Sequence, residues 1–368
     1  MLQPPPAEPG MREEDVETPA LLLDLDAFEH NLDAMAGFLA PSGAKLRPHA
    51  KTHKSAVIAL AQMRRGAIGQ CVQKVGEAEA LAWGGIPDIL VSNEVVGPKK
   101  LARLLALSSI AKVALCVDGL EQIAAAEAAA EAANHRLSVL VEIDVGGARC
   151  GVRPGPEAVA LAERIAASPH LRFGGLQAYH GSAQHIRAPE DRAKAIAGAV
   201  EDSRRTVEQL RQRGLDCPIV GGAGTGTFGY EVASGVYTEI QAGSYAFMDA
   251  DYGRNATPPP FRNSLFVLAT VMSRAVPGVA VVDAGHKAIP TDSGYPLVWN
   301  HPGLRYTGAS DEHGKIEIGD GAAPALGEKL RLVPGHCDPA VDRYDWYVGV
   351  RKGRVECLWP IAARGAMH

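Results

Sequence analysis

One short stretch, Arg47-Pro-His-Ala-Lys-Thr-His-Lys54, has the residue types needed to hold a covalent cofactor. If the chain is extended up to Lys51, the odd-numbered side chains from Lys45 onward are all basic and share one face. A buried basic face requires an anionic partner. A phosphorylated cofactor held as a Schiff base on Lys51 meets this requirement, because lysine is a usual amine nucleophile. The alternative is an edge strand with its polar face in water.

Two glycine-rich stretches have the composition of a phosphate site. They are Gly221-Gly-Ala-Gly-Thr-Gly-Thr227 and Gln241-Ala-Gly-Ser-Tyr245, and each follows a strand-like run. Successive glycines let backbone amides converge on an anion, and hydroxyl side chains add donors. Either stretch alone is also compatible with a plain turn. Together they predict that a phosphate binds at Gly222–Thr225 and Gly243–Tyr245.

A third candidate is the sequence Pro334-Gly-His-Cys-Asp-Pro339. On an extended segment, His336 and Asp338 point the same way and Cys337 points to the opposite side. An imidazole and a carboxylate together suit Mn²⁺ or Mg²⁺ and also accept Zn²⁺. A lone His-x-Asp pair is common by chance, but the flanking prolines and the glycine favour a fixed geometry.

The elements that must position these residues follow from a regular alternation along the chain. Helix-like segments occupy most intervals between eight strand-like runs, and the clearest are Leu120–Asn134, Pro156–Ala167 and Pro189–Gly214. The strand-like runs are Ala44–Lys51, Ala67–Gln73, Asp88–Asn93, Lys112–Asp118, Leu137–Asp144, Leu171–Tyr179, Pro218–Gly222 and Thr238–Tyr245. This order predicts an α/β fold with a (β/α)8 TIM-like barrel. An open, doubly wound sheet is the alternative, although no G-x-G-x-x-G motif follows the first run.

Polar residues collect at the carboxyl ends of these runs, where barrel enzymes place their active sites. Gln73 ends the second run, and the fifth runs into Gly146-Gly-Ala-Arg-Cys-Gly151. The sixth ends in Gln177-Ala-Tyr-His-Gly-Ser182, followed by Gln184 and His185. The recurrence at most strand ends favours a site at that end of the barrel.

Three regions are predicted from these patterns. Residues 1–26 are a flexible, Pro-rich arm followed by a strand at Ala20–Asp24, which we expect to join the C-terminal domain. Residues 27–254 form the barrel. Residues 255–368 form a mostly-β domain, since long helical periodicity is absent there. Its strand-like runs are Leu265–Ser273, Val279–Ala284, Lys329–Val333, Trp346–Val350 and Val355–Trp359.

The composition excludes several classes of function. The net charge of -5 and the pI near 6.2 argue against a nucleic-acid-binding surface. No apolar run approaches the ~20 residues that span a bilayer, and we expect no membrane contact. The six cysteines form no Cys-x-x-Cys pair and mostly lie in apolar runs, which is typical of buried thiols in a reducing cytoplasm.

With these residues in place, the sequence resembles the D-threonine aldolase and D-serine dehydratase-like family of pyridoxal-phosphate enzymes, of the alanine-racemase fold type (fold type III). The similarity runs from Thr18 to Gly365. The resemblance implies a barrel that binds pyridoxal 5'-phosphate, a C-terminal β domain and a homodimer. The motifs that carry it are Arg47-Pro-His-Ala-Lys-Thr-His-Lys54, Ser92-Asn-Glu-Val-Val-Gly97, Arg149-Cys-Gly-Val152, Gln177-Ala-Tyr-His-Gly-Ser182 and Gln241-Ala-Gly-Ser-Tyr-Ala-Phe-Met-Asp249.

The resemblance also implies a role for each matching residue. Lys51 is the Schiff-base lysine, with Lys45, Lys54 and Lys74 as its competitors; we expect Lys54 in the following helix. His185 takes the proton of the substrate hydroxyl, with His180 as the second choice. The implied metal ligands are His336 and Asp338, where dehydratases of the family have a cysteine in place of Asp338. The implied cofactor contacts are Gln73, Arg149, Tyr179, Gly222, Gly224, Thr225, Gly243, Ser244 and Tyr245.

The expected activity is the metal-dependent retro-aldol cleavage of D-threonine and related D-3-hydroxy amino acids to glycine and an aldehyde. Mn²⁺ is the expected metal, with Mg²⁺ or Zn²⁺ as alternatives. A metal-dependent D-serine or D-threo-3-hydroxyaspartate dehydratase is the nearest rival. An amino-acid racemase, which needs no metal, and a non-catalytic pyridoxal-phosphate carrier are further alternatives. Carriers of that type lack a C-terminal domain, so residues 255–368 argue against a carrier.

Overall fold

The computed structural model describes residues 3–320 and 322–368, and its first nine strands include a parallel barrel. These strands are β1 (Ala20–Asp24), β2 (Lys45–Leu46), β3 (Gln70–Val72), β4 (Asp88–Glu94), β5 (Lys112–Val117), β6 (Leu137–Glu142), β7 (Leu171–Gln177), β8 (Ile219–Gly222) and β9 (Glu239–Ile240). Strands β2 to β9 form one eight-stranded sheet with parallel neighbours. The sheet closes between β3 and the residues that directly follow β2, where Cys71 N donates to Pro48 O (2.8 Å). The predicted barrel is confirmed, and the open-sheet alternative is wrong.

Helices alternate with the barrel strands. The three predicted most clearly are present with nearly the same bounds, and a proline at the first turn starts two of them, where its missing N–H has no helical partner to lose. The α-helices are α1 (Leu25–Leu39), α2 (Ala56–Met63), α3 (Val75–Trp83), α4 (Pro98–Ala106), α5 (Leu120–Ala132), α6 (Pro156–Ala166), α7 (Pro189–Gln212), α8 (Phe228–Ser234), α9 (Ala250–Gly253) and α10 (Cys337–Val341). In the described residues, no helix is long and apolar enough to cross a bilayer.

A second sheet contains the remaining strands and β1. These strands are β10 (Leu265–Ser273), β11 (Val279–Val282), β12 (Leu297–Val298), β13 (Leu304–Ala309), β14 (Gly314–Ile318), β15 (Lys329–Val333), β16 (Trp346–Arg351) and β17 (Arg354–Pro360). Their order is β11-β14-β13-β12-β15-β10-β1-β16-β17. Strand β1 pairs antiparallel with β10, Leu21 opposite Val267, and parallel with β16, Leu22 opposite Val348. Because apolar residues of β1 are buried on both faces, the strand ties the start of the chain to the second sheet.

The segment before β1 is packed rather than flexible. Gly10 N donates to Val355 O (2.8 Å), and the indole Nε1 of Trp346 donates to Gln3 O (2.7 Å). Ala7 is buried in a small apolar cluster with residues of the second sheet. The prediction of a flexible arm is therefore wrong for residues 3–14, and residues 1 and 2 lie outside the described part.

The basic run that starts the barrel is shorter as a strand than predicted. Strand β2 ends at Leu46, close to Pro48, which has no N–H for a strand ladder. Arg47 is buried, and its guanidinium lies 3.0 Å from Glu239 and 2.6 Å from Asp88. The anion that compensates this part of the basic face is thus a pair of protein carboxylates, not a phosphate.

We predict that Arg47→Ala destabilises the protein by about 3–5 kcal/mol, because Glu239 is left buried without its cation. Replacing both partners, as Arg47→Met with Glu239→Leu, should cost less than the single change. The free energy of unfolding from denaturant titration measures both effects. Arg213→Ala, which breaks an exposed pair with Glu163, is the control and should change it by less than about 0.5 kcal/mol. A double variant less stable than Arg47→Ala would contradict the argument.

Candidate active site

A cavity of about 540 Å³ lies at the carboxyl ends of the barrel strands and reaches the second sheet. Most of the residues selected from sequence line it: Lys51, Gln73, Arg149, Tyr179, His185, Gly224, Thr225, Gly243, Ser244 and His336. Asp338 is not part of the wall itself, but it is paired with Lys51, which is. Three of the selected residues, His180, Gly222 and Tyr245, are not part of its wall.

Lys51 lies in a 3-10 helix, Ala50–Thr52, that follows β2. Its Nζ forms an ion pair with Asp338 Oδ2. Burial lowers the pKa of the Lys51 ammonium. Contacts led by the one with Asp338 raise this pKa by more in total, so the net shift is upward. Burial alone raises the pKa of Asp338, whereas the charges of Lys51 and His336 lower it well below its usual value. Both groups are therefore charged at neutral pH.

The competing lysines are placed elsewhere. Lys54 does not lie in the following helix, as expected, but in the loop before α2 with a φ of 50°. It is buried against Asp342 (2.6 Å) and Glu77 (3.5 Å). Lys45 is exposed at the amino end of β2, and Lys74 begins α3 outside the cavity wall. Lys51 is thus the lysine of this group whose amine faces the cavity.

His336 and Asp338 do lie together, although not on an extended segment. His336 immediately precedes α10, and Asp338 is in the first turn of that helix. His336 Nε2 is 3.7 Å from Asp338 Oδ1. Cys337 is fully buried and does not line the cavity, but its Sγ lies within 4.8 Å of a His336 ring nitrogen and of an Asp249 carboxylate oxygen. His336 and Asp338 lie side by side as predicted, but the segment is not extended, and Cys337 does not point to the opposite side, since its Sγ is 3.5 Å from Asp338 Oδ1.

Asp249, which the sequence did not single out as a site residue, orients this histidine. Its Oδ2 accepts a hydrogen bond from His336 Nδ1 (2.8 Å), and the side chain is completely buried. A carboxylate on one ring nitrogen is the usual partner of a metal-binding histidine, because it leaves the other nitrogen as the ligand. The nitrogen–oxygen donor set of His336 Nε2 and Asp338 therefore fits a divalent cation.

The glycine-rich stretches form a cradle that fits a phosphate group. The Thr225 hydroxyl is buried and has no hydrogen-bond partner among the described residues. The backbone N–H groups of Gly243 and Ser244 also donate no hydrogen bond within the described part of the chain. A Cβ on Gly243 would lie 2.5 Å from Thr52 Oγ1 and 2.7 Å from His49 O, so this position requires glycine. Hydrogen-bond donors that are unpaired and lie in the wall of a cavity can bind an anion.

Gly222 and Tyr245 support this cradle from behind. A Cβ on Gly222 would lie 2.5 Å from Ala178 O and 2.8 Å from the Tyr237 ring, which leaves no space for a side chain. The Tyr245 ring is buried and packs against Phe261, with the ring centroids 5.7 Å apart. Neither residue therefore contacts the cavity directly, contrary to the prediction.

The part of the wall next to Gly243 is built around His49, which sequence reasoning used only as part of the basic face. Its Nε2 is 2.9 Å from Gln73 Nε2 and 3.2 Å from Ser92 Oγ. Burial, and then the charge of Lys51, lower the pKa of His49 well below its usual value, so the ring is neutral. Farther round, the Arg149 guanidinium lies 5.7 Å from the centre of the Tyr179 ring, a cation–π distance.

The two candidate bases are in different environments. His185 ends a 3-10 helix, Ser182–His185, and lines the cavity, with its Nδ1 2.5 Å from Asp251 Oδ2. His180 does not line the cavity, and its ring lies against Gly146. Its Nε2 would lie 2.6 Å from a Cβ on Gly146. The geometry favours His185 over His180 as a group that can reach a bound ligand.

The comparisons with known proteins agree with this geometry. The sequence matches the family described as alanine racemase, N-terminal domain, over residues 23–251, and the putative serine dehydratase domain over residues 264–350. A D-threonine aldolase from Arthrobacter sp is 48% identical over 98% of this chain and 96% of its own length. A 3-hydroxy-D-aspartate aldolase from Paracoccus denitrificans (strain Pd 1222) is 47% identical over 98% of this chain and 95% of its own length.

The solved structures give the same result. The crystal structure of D-threonine aldolase from Filomicrobium marinum is 50% identical to this chain and superposes with a TM-score of 0.97 over 99% of this chain and 100% of that one. Such a likeness over the whole length includes both the barrel and the second sheet. The chain therefore belongs to the D-threonine aldolase family, whose pyridoxal-phosphate enzymes have the alanine-racemase fold.

Proposed function

We propose that this chain cleaves D-3-hydroxy amino acids, D-threonine among them, to glycine and an aldehyde with pyridoxal phosphate and a divalent metal. The observation that carries the proposal is the convergence of Lys51, His185 and the His336–Asp338 pair on one cavity. These groups offer an amine, a proton acceptor and a pair of metal ligands. A racemase needs no metal ligands. The predicted homodimer and cytoplasmic location stay predictions.

Each group of residues has a proposed part in holding the cofactor. Lys51 provides the amine that attaches it. Thr225, Gly243 and Ser244 bind its phosphate through the free donors of the cradle. Gln73 holds the imidazole of His49 in the cavity wall. Arg149 and Tyr179 contact the ring of the cofactor. Pyridoxal phosphate supplies a carbonyl carbon that captures the substrate amine and a ring that accepts the electron pair released at Cα.

The proton of the substrate β-hydroxyl is proposed to move to His185 Nε2, because Nδ1 is occupied by Asp251. The Cα–Cβ bond then breaks, and the hydroxyl oxygen remains as the carbonyl of the aldehyde. Cα gains one proton, which balances the proton taken from the hydroxyl, and becomes the methylene of glycine. His336 and Asp338 are proposed to hold a divalent ion, which lowers the pKa of a hydroxyl bound to it.

The ligand set favours an exchangeable, hard cation. A carboxylate with an imidazole suits Mn²⁺ or Mg²⁺, whereas a thiolate in place of the carboxylate would favour Zn²⁺. The Cys337 thiol lies near this pair, but burial raises its pKa well above its usual value, so it stays protonated and is a poor ligand. We therefore propose Mn²⁺ as the metal that restores activity most fully.

We predict that D-threonine gives glycine and acetaldehyde, that a chelator removes the activity, and that Mn²⁺ restores it. The dehydratase alternative would instead expel the hydroxyl group and give 2-oxobutanoate and ammonia. Product analysis by chromatography, combined with metal analysis of the chelated protein, separates these functions. Full turnover in protein without residual metal would remove the proposed role of His336 and Asp338.

We predict that Lys51→Ala abolishes turnover and the visible absorbance of the lysine-linked cofactor. Lys74→Ala is the matched control and should retain both, because Lys74 lies outside the cavity wall. Absorption spectra of the two purified proteins with added pyridoxal phosphate measure the effect. Retained absorbance in Lys51→Ala, together with its loss in Lys54→Ala, would move the attachment point to Lys54.

We predict that Thr225→Val raises the cofactor dissociation constant about 10- to 100-fold, since a hydrogen bond to a charged group contributes roughly 1.5–3 kcal/mol. Thr307→Val is a matched control. The Thr307 hydroxyl is also buried without a partner in the described residues, but it lies in β13 of the second sheet. Fluorescence titration of both apoproteins with pyridoxal phosphate measures the two constants. Equal constants in the two variants would place the phosphate elsewhere.

A further inference from the structure

One short segment carries a carboxylate for each of two cavity histidines, His185 and His336. Asp249 precedes α9, and Asp251 lies within this helix. Asp249 accepts from His336 Nδ1, and Asp251 accepts from His185 Nδ1. Tyr252, the next residue, stacks on His185 with the ring centroids 6.2 Å apart. The segment 249–252 therefore contacts both a proposed metal ligand and the proposed base.

Asp251 is itself fixed by strong contacts. Its Oδ1 pairs with the Arg187 guanidinium, which also donates to Asp251 O (2.7 Å) and Asn255 Oδ1 (2.8 Å). Burial alone raises the pKa of Asp251, but the contacts with Arg187 and His185 hold it below its usual value. The carboxylate is ionised at neutral pH and has one oxygen left for the imidazole.

His185 depends on this oxygen for its orientation. Its side chain is about half exposed, with a relative accessibility of 55%. It is the last residue of a single 3-10 turn, whose backbone does not fix the orientation of the ring. A carboxylate on Nδ1 selects the tautomer in which Nε2 carries the lone pair, and it keeps that nitrogen directed away from α9.

We infer that Asp251 is a positioning residue for the cleavage reaction, which holds His185 Nδ1–H so that Nε2 receives the substrate hydroxyl proton. This inference rests on the proposed function of the same cavity. Asp251 does not line the cavity and acts through His185 alone. The arrangement parallels that of Asp249 and His336 on the same segment.

The ionisable groups around His185 define what a pH experiment reports. Asp251 faces it from α9, with Arg187 and Arg254 beyond that carboxylate. Tyr252 stacks on the ring. The other ionisable side chains of the cavity wall are His49, Lys51, Glu142, Asp144, Arg149, Cys150, Tyr179 and His336. No second carboxylate lies within ion-pair distance of His185 in the described part of the chain. A change confined to Asp251 therefore removes the one negative charge in contact with this ring.

The test is Asp251→Asn in the metal-loaded holoenzyme. Asparagine keeps the shape but removes the charge that favours the protonated imidazole. We expect kcat to fall at least about tenfold, KM to change little, and the acidic limb of the kcat/KM profile to move to lower pH. Asp251→Glu should recover part of kcat. Asp33→Asn, which removes a carboxylate 2.5 Å from Arg65 on the exposed face of α1, is the control and should keep the parent profile.

A second readout does not depend on turnover. ¹⁵N chemical shifts of the His185 ring should show the Nδ1–H tautomer in the parent and in Asp33→Asn, and a shifted mixture in Asp251→Asn. An Nε2–H tautomer in the parent overturns the inference even if no variant folds. An unchanged pH profile and tautomer in Asp251→Asn also overturn it. If the parent cleaves no D-3-hydroxy amino acid but shows the Nδ1–H tautomer, the proposed function fails while the Asp251 contact stands.

Discussion

The ion pair between Lys51 and Asp338 is the contact on which the arrangement of the cavity depends. It joins the 3-10 helix after the first barrel strand to α10 of the second sheet. Two charges taken partly out of water are tolerable because each compensates the other. A neighbouring contact also joins the barrel to the second sheet, since the Tyr347 hydroxyl of β16 donates to His53 O (2.8 Å). The barrel and the second sheet are thereby fixed at the point where the amine must be presented.

Carboxylates behind the cavity decide what the imidazoles can do in it. Asp249 and Asp251 each occupy the Nδ1 of one histidine, which leaves each Nε2 for a ligand or a proton. His49, by contrast, is surrounded by neutral partners and stays uncharged beside the Lys51 ammonium. The same side-chain type thus has three uses in one cavity, and the difference comes from the second contact of each ring.

Much of the fold follows from local patterns, because each barrel strand and its helix have a clear periodicity. Lys51 and the cradle glycines could also be predicted from the sequence, since they lie at strand ends. Contacts between distant segments could not be predicted in this way. Nothing near Arg47 in the sequence indicates Glu239 as its partner, and nothing near His185 indicates Asp251. The docking of residues 3–14 was missed for the same reason, because partners such as Arg331, Asp345 and Val355 lie in the C-terminal part of the chain.

The central position of β1 has a consequence for the order in which the protein can be completed. This strand leaves the ribosome early, whereas its neighbours β10 and β16 begin at Leu265 and Trp346. Pairings so distant in sequence form late, because the intervening loop must close first. Until then β1 is an apolar strand without partners, which is a site for misassociation during synthesis. Since Asp338 arrives in the same final part of the chain, a nascent barrel presents Lys51 without its counter-ion.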